Sequence, residues 1–260
     1  MIANRCAAAK LPAMIRRWCT LILSVVISCP GLAAMPALLE TALGKLQADE
    51  DHWAYTQTTQ AYDRKGAPDG GPTVERYDPS QPPAEQWQLL QWQGREPDER
   101  DLRRWEKRKL KEQKRREEKT LGEVMDFDRA TVREETAAAV VFAIPLRPGA
   151  SKRLPAEKFM VHMTVERARK VVTGFGLETT GSFRTMGVAK IDTIEVNADF
   201  RTVDERYAPQ PETIRARGAG RVLFFRVGGA AEIAWSDFKR VKPYNDRFEV
   251  RIGELKAFGF

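Results

Sequence analysis

The run FMVHMTVE, residues 159–166, restricts the architecture more than any other stretch of the chain. Phe159, Val161, Met163 and Val165 fall on one side, and Met160, His162 and Thr164 on the other. That period of two is the signature of a pleated strand with one face buried. The same period recurs in WAYTQTTQAYD, which sets Trp53, Tyr55, Gln57, Thr59 and Ala61 against Ala54, Thr56, Thr58, Gln60 and Tyr62. RKGAPDGGP is a turn, TVERYDP a second strand and QPPAE a loop. QWQLLQW sets Trp87, Leu89 and Gln91 opposite Gln88, Leu90 and Trp92. Three strands joined by short Gly/Pro loops read as an antiparallel meander.

The pattern returns further along. GEVMDFDRATVREET reads as one extended pair, and TAAAVVFAIPL as a buried strand or short buried helix stopped by Pro145. RKVVTGFGLE and the stretches TTGSFRTMGVAKIDTIEVNADFRTVDERYAPQ and RARGAGRVLFFRVGGAAEIAWSDFKRV continue in short runs with glycine or polar breaks. Gly174 and Gly176 mark a bulge or sharp curvature, since no helix signature follows them. Strands so spaced predict an all-β sandwich or a barrel, open or closed. DRFEVRIGELKAF adds a last edge strand or frays.

Two segments break the period. In MPALLETALGKLQA, Leu38, Leu39, Leu43 and Leu46 suit an amphipathic helix over about 36–48, which would plug one end of a core. Over 97–119, Pro97 sits at a first helical position, acids fill the first turn and Lys/Arg dominate afterwards, as the helix dipole favours. Only Leu102, Trp105 and Leu110 are large and apolar there, so the helix buries one narrow stripe near its start. Its cations are solvated or, at Arg103, Arg104, Lys107 and Arg108, touch an acidic partner or anionic headgroups.

Residues 1–34 read as a secretory signal: Arg16 and Arg17, the apolar run Trp18–Ile27, then Pro30, Gly31 and small residues Ala33 and Ala34. Met14 is an alternative start. VISC (26–29) also fits a lipobox, which would make Cys29 a lipid-bearing first residue of an outer-membrane lipoprotein. Cys6, Cys19 and Cys29 are the only cysteines, so the mature chain has no disulfide. Four of the seven excess positive charges also lie in this segment, leaving about three for residues 35–260, read as one domain. An exported chain of that charge meets little nucleic acid.

No motif of catalysis or metal binding is legible: no HExxH, no Cys/His cluster, no G-x-S-x-G. His52 and His162 are isolated from one another. Asp126/Asp128 and Glu134/Glu135 lack an apolar surround. The expectation is a non-enzymatic chain without cofactor or metal. What remains is an apolar sheet face, for which Trp53, Tyr55, Trp87, Leu89, Phe159, Val161, Met163, Phe175, Phe183, Leu223 and Phe225 are candidates to line a ligand site; an ordinary core is the alternative.

The Leu-rich helix, the strand WAYTQTT, RYDP, WQLL and a helix opened by GREP resemble the LolA/LolB lipoprotein carriers and the MucB/RseB sensor domain. The resemblance implies a mainly β fold: one highly curved antiparallel sheet as an open half-barrel, with helices over an apolar cavity. It implies a protein of the periplasm that binds lipid or lipoprotein acyl chains; a monomer is expected. A protein-interaction or envelope-stress module, docking an acidic partner through the basic helix, is the other expectation.

Overall fold

A computed structural model of the protein describes residues 34–49, 51–118, 121–149, 155–185 and 189–248, without the side chains of 113–118, 121 and 248. The signal segment, Cys29 and most of the DRFEVRIGELKAF tail lie outside the described residues. The described residues from Met35 onward cluster as one compact unit.

Eleven strands make one antiparallel sheet: β1 (Trp53–Tyr62), β2 (Thr73–Tyr77), β3 (Trp87–Gln91), β4 (Thr131–Glu135), β5 (Ala139–Pro145), β6 (Phe159–Glu166), β7 (Val171–Thr179), β8 (Phe183–Thr185), β9 (Ala189–Arg201), β10 (Gln210–Val222) and β11 (Phe225–Arg240). Their order is β3-β2-β1-β11-β10-β9-β7-β6-β5-β4, with β8 also on β9. The edge strands β3 and β4 do not pair, so the sheet is an open half-barrel, not a sandwich or closed barrel. The non-local step is β11 returning to β1, which joins the N-terminal meander to the rest.

Helix α1 (Ala37–Ala48) follows Pro36, whose carbonyl accepts from the Glu40 amide at 3.0 Å. Helix α2 (Glu99–Glu118) starts later than its proline suggests. Asp98 and Asp101 cap each other's amides at 2.9 and 3.2 Å, a reciprocal box that fixes the first turn. That bond to the Asp101 amide holds the Asp98 carboxyl below its ordinary value. Being the link from β3 to β4, α2 carries the chain from one sheet edge to the other.

Cross-strand partners share a face, so the register alone defines two sides. The inner side carries Val140, Phe142 and Ile144 of β5, Val161, Met163 and Val165 of β6, and Phe175 and Leu177 of β7. Leu39, Ala42 and Leu43 of α1 pack there, forming one cluster with Met125 and Phe127. β5 is a strand although its sequence is apolar on both faces, and its burial alternates along its length.

Two expectations are corrected. GEVMDFDRATVREET is not an extended pair: α3 (Leu121–Val124) and a 3₁₀ turn (Phe127–Arg129) precede β4. Met125 and Phe127 are spaced like a strand but buried as a plug beside β5, with the Asp126 amide donating to the Pro145 carbonyl at 2.9 Å. Strands β9, β10 and β11, of 13, 13 and 16 residues, also run through their glycines. A Cβ at Gly220 would lie 2.5 Å from the Lys190 carbonyl, and one at Gly228 would lie 2.8 Å from that of Gly218. Those glycines allow close backbone approach within a long ribbon; they do not end strands.

Candidate functional site

The inner face is covered differently along its width. Under α1 the core is closed to solvent: Leu39, Ile144, Val161 and Val165 are fully buried. Phe159 and Phe183 meet edge to face at 5.5 Å beside it. Of the candidate lining residues, Phe159, Val161, Met163 and Phe183 are therefore core here, and Phe175 is half-buried against the same cluster.

At the opposite end, β1, β2 and β3 turn Trp53, Tyr55, Gln57, Glu75, Tyr77, Trp87 and Leu89 to the same side. Tyr77 and Trp87 stack at 4.7 Å, with Tyr55 at 5.1 Å from Tyr77. Among these rings sits Glu75, only 2 % exposed. The α2 helix closes over it. Its carboxylate accepts from Arg108 at 2.9 Å, Lys109 at 3.1 Å, Gln57 at 3.0 Å and the Trp105 indole N–H. The Lys109 ammonium also lies 3.5 Å over the Trp87 ring. Burial pushes this ammonium below its usual value, and the Glu75 charge pulls the other way.

This clasp alters the reading of α2. Trp105 is buried as its spacing suggests, but Leu102 is 37 % and Leu110 62 % exposed. Arg108 is committed to Glu75, whereas Arg104 and Lys107 point to solvent and Arg103 pairs with Glu99 at 3.2 Å. Glu75 was missed because nothing local marks its partners, though TVERY does place it on the face of Tyr77.

Between the two ends lies a stretch of the same face built from β9, β10 and β11. Register aligns Ile194 with Gly218, Val196 with Ala216, Ala198 with Ile214, Ile214 with Ile233, and Gln57 with Trp235. Val196, Ile214, Ile233 and Trp235 are half-buried and stand outside the core cluster. This half-buried apolar strip, the trough, lies in strand order between the strands that α1 covers and those that α2 covers. Period-two reading finds these residues; only strand order brings them together.

Other polar groups are accounted for structurally. Asp49, after α1, accepts from the Trp53 indole at 2.8 Å, Gln210 at 3.1 Å and Arg240, which lies 3.6 Å over the Tyr207 ring. The adjoining cleft of about 400 Å³ is lined by cations already engaged: Lys45 donates to the Arg169 carbonyl, and Arg169 to Thr202, Glu205 and Tyr207. It joins α1 to the sheet. His162 bonds Glu178 at 2.8 Å on the outer face, away from the trough. Asp126 lies 3.7 Å from Arg147. Among the described residues no three His, Cys, Asp or Glu side chains are grouped to hold a metal, and no helix is long and apolar enough to cross a membrane.

Leu223 and Phe225 lie elsewhere. They occupy the outer end of the β10–β11 hairpin, 62 % and 73 % exposed, with Phe224 between them at 94 %.

No family model matches the chain, and no curated protein does. Among solved structures, a LolA superfamily protein from Nitrosomonas europaea aligns over 81 % of this chain and 95 % of its own, at 10 % identity and a TM-score of 0.34. At that identity and overlap, function has to be read from this chain's own residues.

Proposed function

We propose that the protein is a non-enzymatic carrier of the bacterial cell envelope, working in the periplasm or at the outer membrane. It binds a lipid or lipoprotein acyl chain along the trough between α1 and α2. One observation supports this reading above the others. Val196, Ile214, Ile233 and Trp235 share the inner face by register, yet stay half-buried where the neighbouring core is closed to solvent. A half-buried apolar strip of sheet is complementary to an alkyl chain.

The test is titration with a fluorescent long-chain fatty acid, alongside extraction of the purified protein and mass spectrometry of any lipid. The wild type captures the probe, and Ile233→Asp weakens capture about tenfold or more, because a carboxylate in the trough must be desolvated. A wild type that captures no probe and carries no lipid ends the reading. The second reading, docking of an acidic envelope protein on α2, is favoured by the solvent-facing Arg104 and Lys107. Reversing both charges then abolishes partner capture while probe binding stays intact.

A further inference from the structure

The outer part of β8–β11 forms a tongue. β1 ends at Tyr62, opposite Ala230, so β11 from Phe225 to Gly229 continues past its neighbour. Near the end of the tongue one row of directly opposed residues reads Arg184, Lys190, Arg221, Arg226. Each of these pairings sets like charges across a ladder, an arrangement that costs stability in isolation. The nearby carboxylate is Asp192, shared between Lys190 at 3.3 Å and Arg221 at 3.7 Å. Arg64 joins Arg221 and Arg226 around a shallow depression of about 260 Å³ that also contains Asp192. Cations are thus gathered here beyond what the carboxylates of the described residues neutralise.

One row further out the character reverses. Val222 pairs with Phe225, and the turn between them holds Leu223, with φ of 55°, and Phe224. Val222, Leu223, Phe224 and Phe225 are 37, 62, 94 and 73 % exposed. A β-branched or bulky side chain at a loop tip normally finds a neighbour; these four face solvent together. An apolar point backed by a band of cations is the layout of a group that enters a bilayer's acyl region while its charges remain among phosphates.

We propose that the β10–β11 tip is a membrane-docking finger for an anionic lipid bilayer: Leu223, Phe224 and Phe225 insert, and Arg221, Arg226 and Lys190 engage headgroup phosphates. The finger reaches the membrane whether or not the trough holds an acyl chain. It also places headgroup contact on the sheet's own tongue, not on α2.

The test is flotation of the full mature chain with vesicles of mixed phosphatidylglycerol and phosphatidylcholine, and with phosphatidylcholine alone. Wild type floats with the anionic vesicles and much less with the neutral ones. Phe224→Asp lowers partition about tenfold, Phe224→Leu retains it, and the pair Arg221→Glu and Arg226→Glu lowers it comparably. Melting temperature stays unchanged in Phe224→Asp, because the ring has almost no neighbours to lose. A Phe224→Trp reporter shifts blue on vesicles and is quenched by brominated acyl chains. Fatty-acid probe capture by Phe224→Asp at the wild-type level separates this claim from the trough. A wild type that ignores anionic vesicles overturns the proposal. So does a Phe224→Asp protein that floats like wild type, including one in which the change converts a dimer of the chain to monomer.

Discussion

The two helices cover the same face of one sheet by opposite means. At the α1 end, Leu39, Ala42 and Leu43 are buried in one apolar cluster with Ile144, Val161 and Val165. At the α2 end, a single buried carboxylate gathers an indole, a guanidinium, an ammonium and an amide, while the helix's own leucines stay exposed. Apolar seating is non-directional and scales with area, so α1 is an integral part of the core. The clasp is directional and depends on every partner being present, so the seat of α2 rests on buried polar contacts and on the Trp105 ring more than on its leucines.

The comparison breaks first at Leu39. Leu39→Ala should lower unfolding free energy by about 3 kcal/mol, the lost transfer energy plus a cavity, measured by chemical denaturation. A loss below about 1 kcal/mol would mean that α1 is not seated as described. The next largest effect is at Glu75. Glu75→Gln leaves Lys109 and Arg108 without their counter-charge and should cost about 2 kcal/mol, less than a fully buried pair because Arg108 is partly solvated. Adding Lys109→Met should recover part of that loss, so the double-mutant cycle gives a coupling of at least about 1 kcal/mol. Additive effects would contradict the clasp.

A smaller contrast lies within α2. Reversing Arg104 and Lys107 should change stability by no more than about 0.5 kcal/mol, whereas Arg108→Glu loosens the helix and raises amide exchange over its first turns. Smallest of all is the turn between β9 and β10. Arg206, donating to Asp204 at 2.7 Å, holds that carboxyl at about 2. A carboxyl lowered on folding contributes stability above its ordinary 3.8 and loses it as pH falls through about 2. An NMR titration should find Asp204 ionised at pH 3, and Arg206→Ala should raise it only part of the way, because the backbone amide of residue 206 still donates to the carboxylate at 3.0 Å.

The seated end was legible in the sequence and the clasped end was not. Leucines at helical spacing and the alternation of FMVHMTVE carry their own geometry, so α1, β6 and their shared core follow from periodicity. Trp53, Tyr55, Trp87 and Leu89 likewise share one face, as period two requires. Glu75 and Lys109 are thirty-four residues apart, and their meeting depends on how α2 lies over the sheet. The trough needed the β1–β11 pairing, which no local signal records. Leu223 and Phe225 have lining chemistry but sit where the hairpin outruns its neighbour, a position that composition does not encode. Met125 and Phe127 mimicked a strand because a 3₁₀ plug also buries residues two apart.

Photo-crosslinking with a diazirine-bearing fatty acid, followed by peptide mapping, tests the central claim most directly. Adducts are expected on the inner-face positions of β9, β10 and β11, at or beside Val196, Ile214, Ile233 and Trp235, and are expected to be lost in Ile233→Asp. Adducts confined to the outer face around His162 and Glu178, or none above an unfolded control, would contradict it.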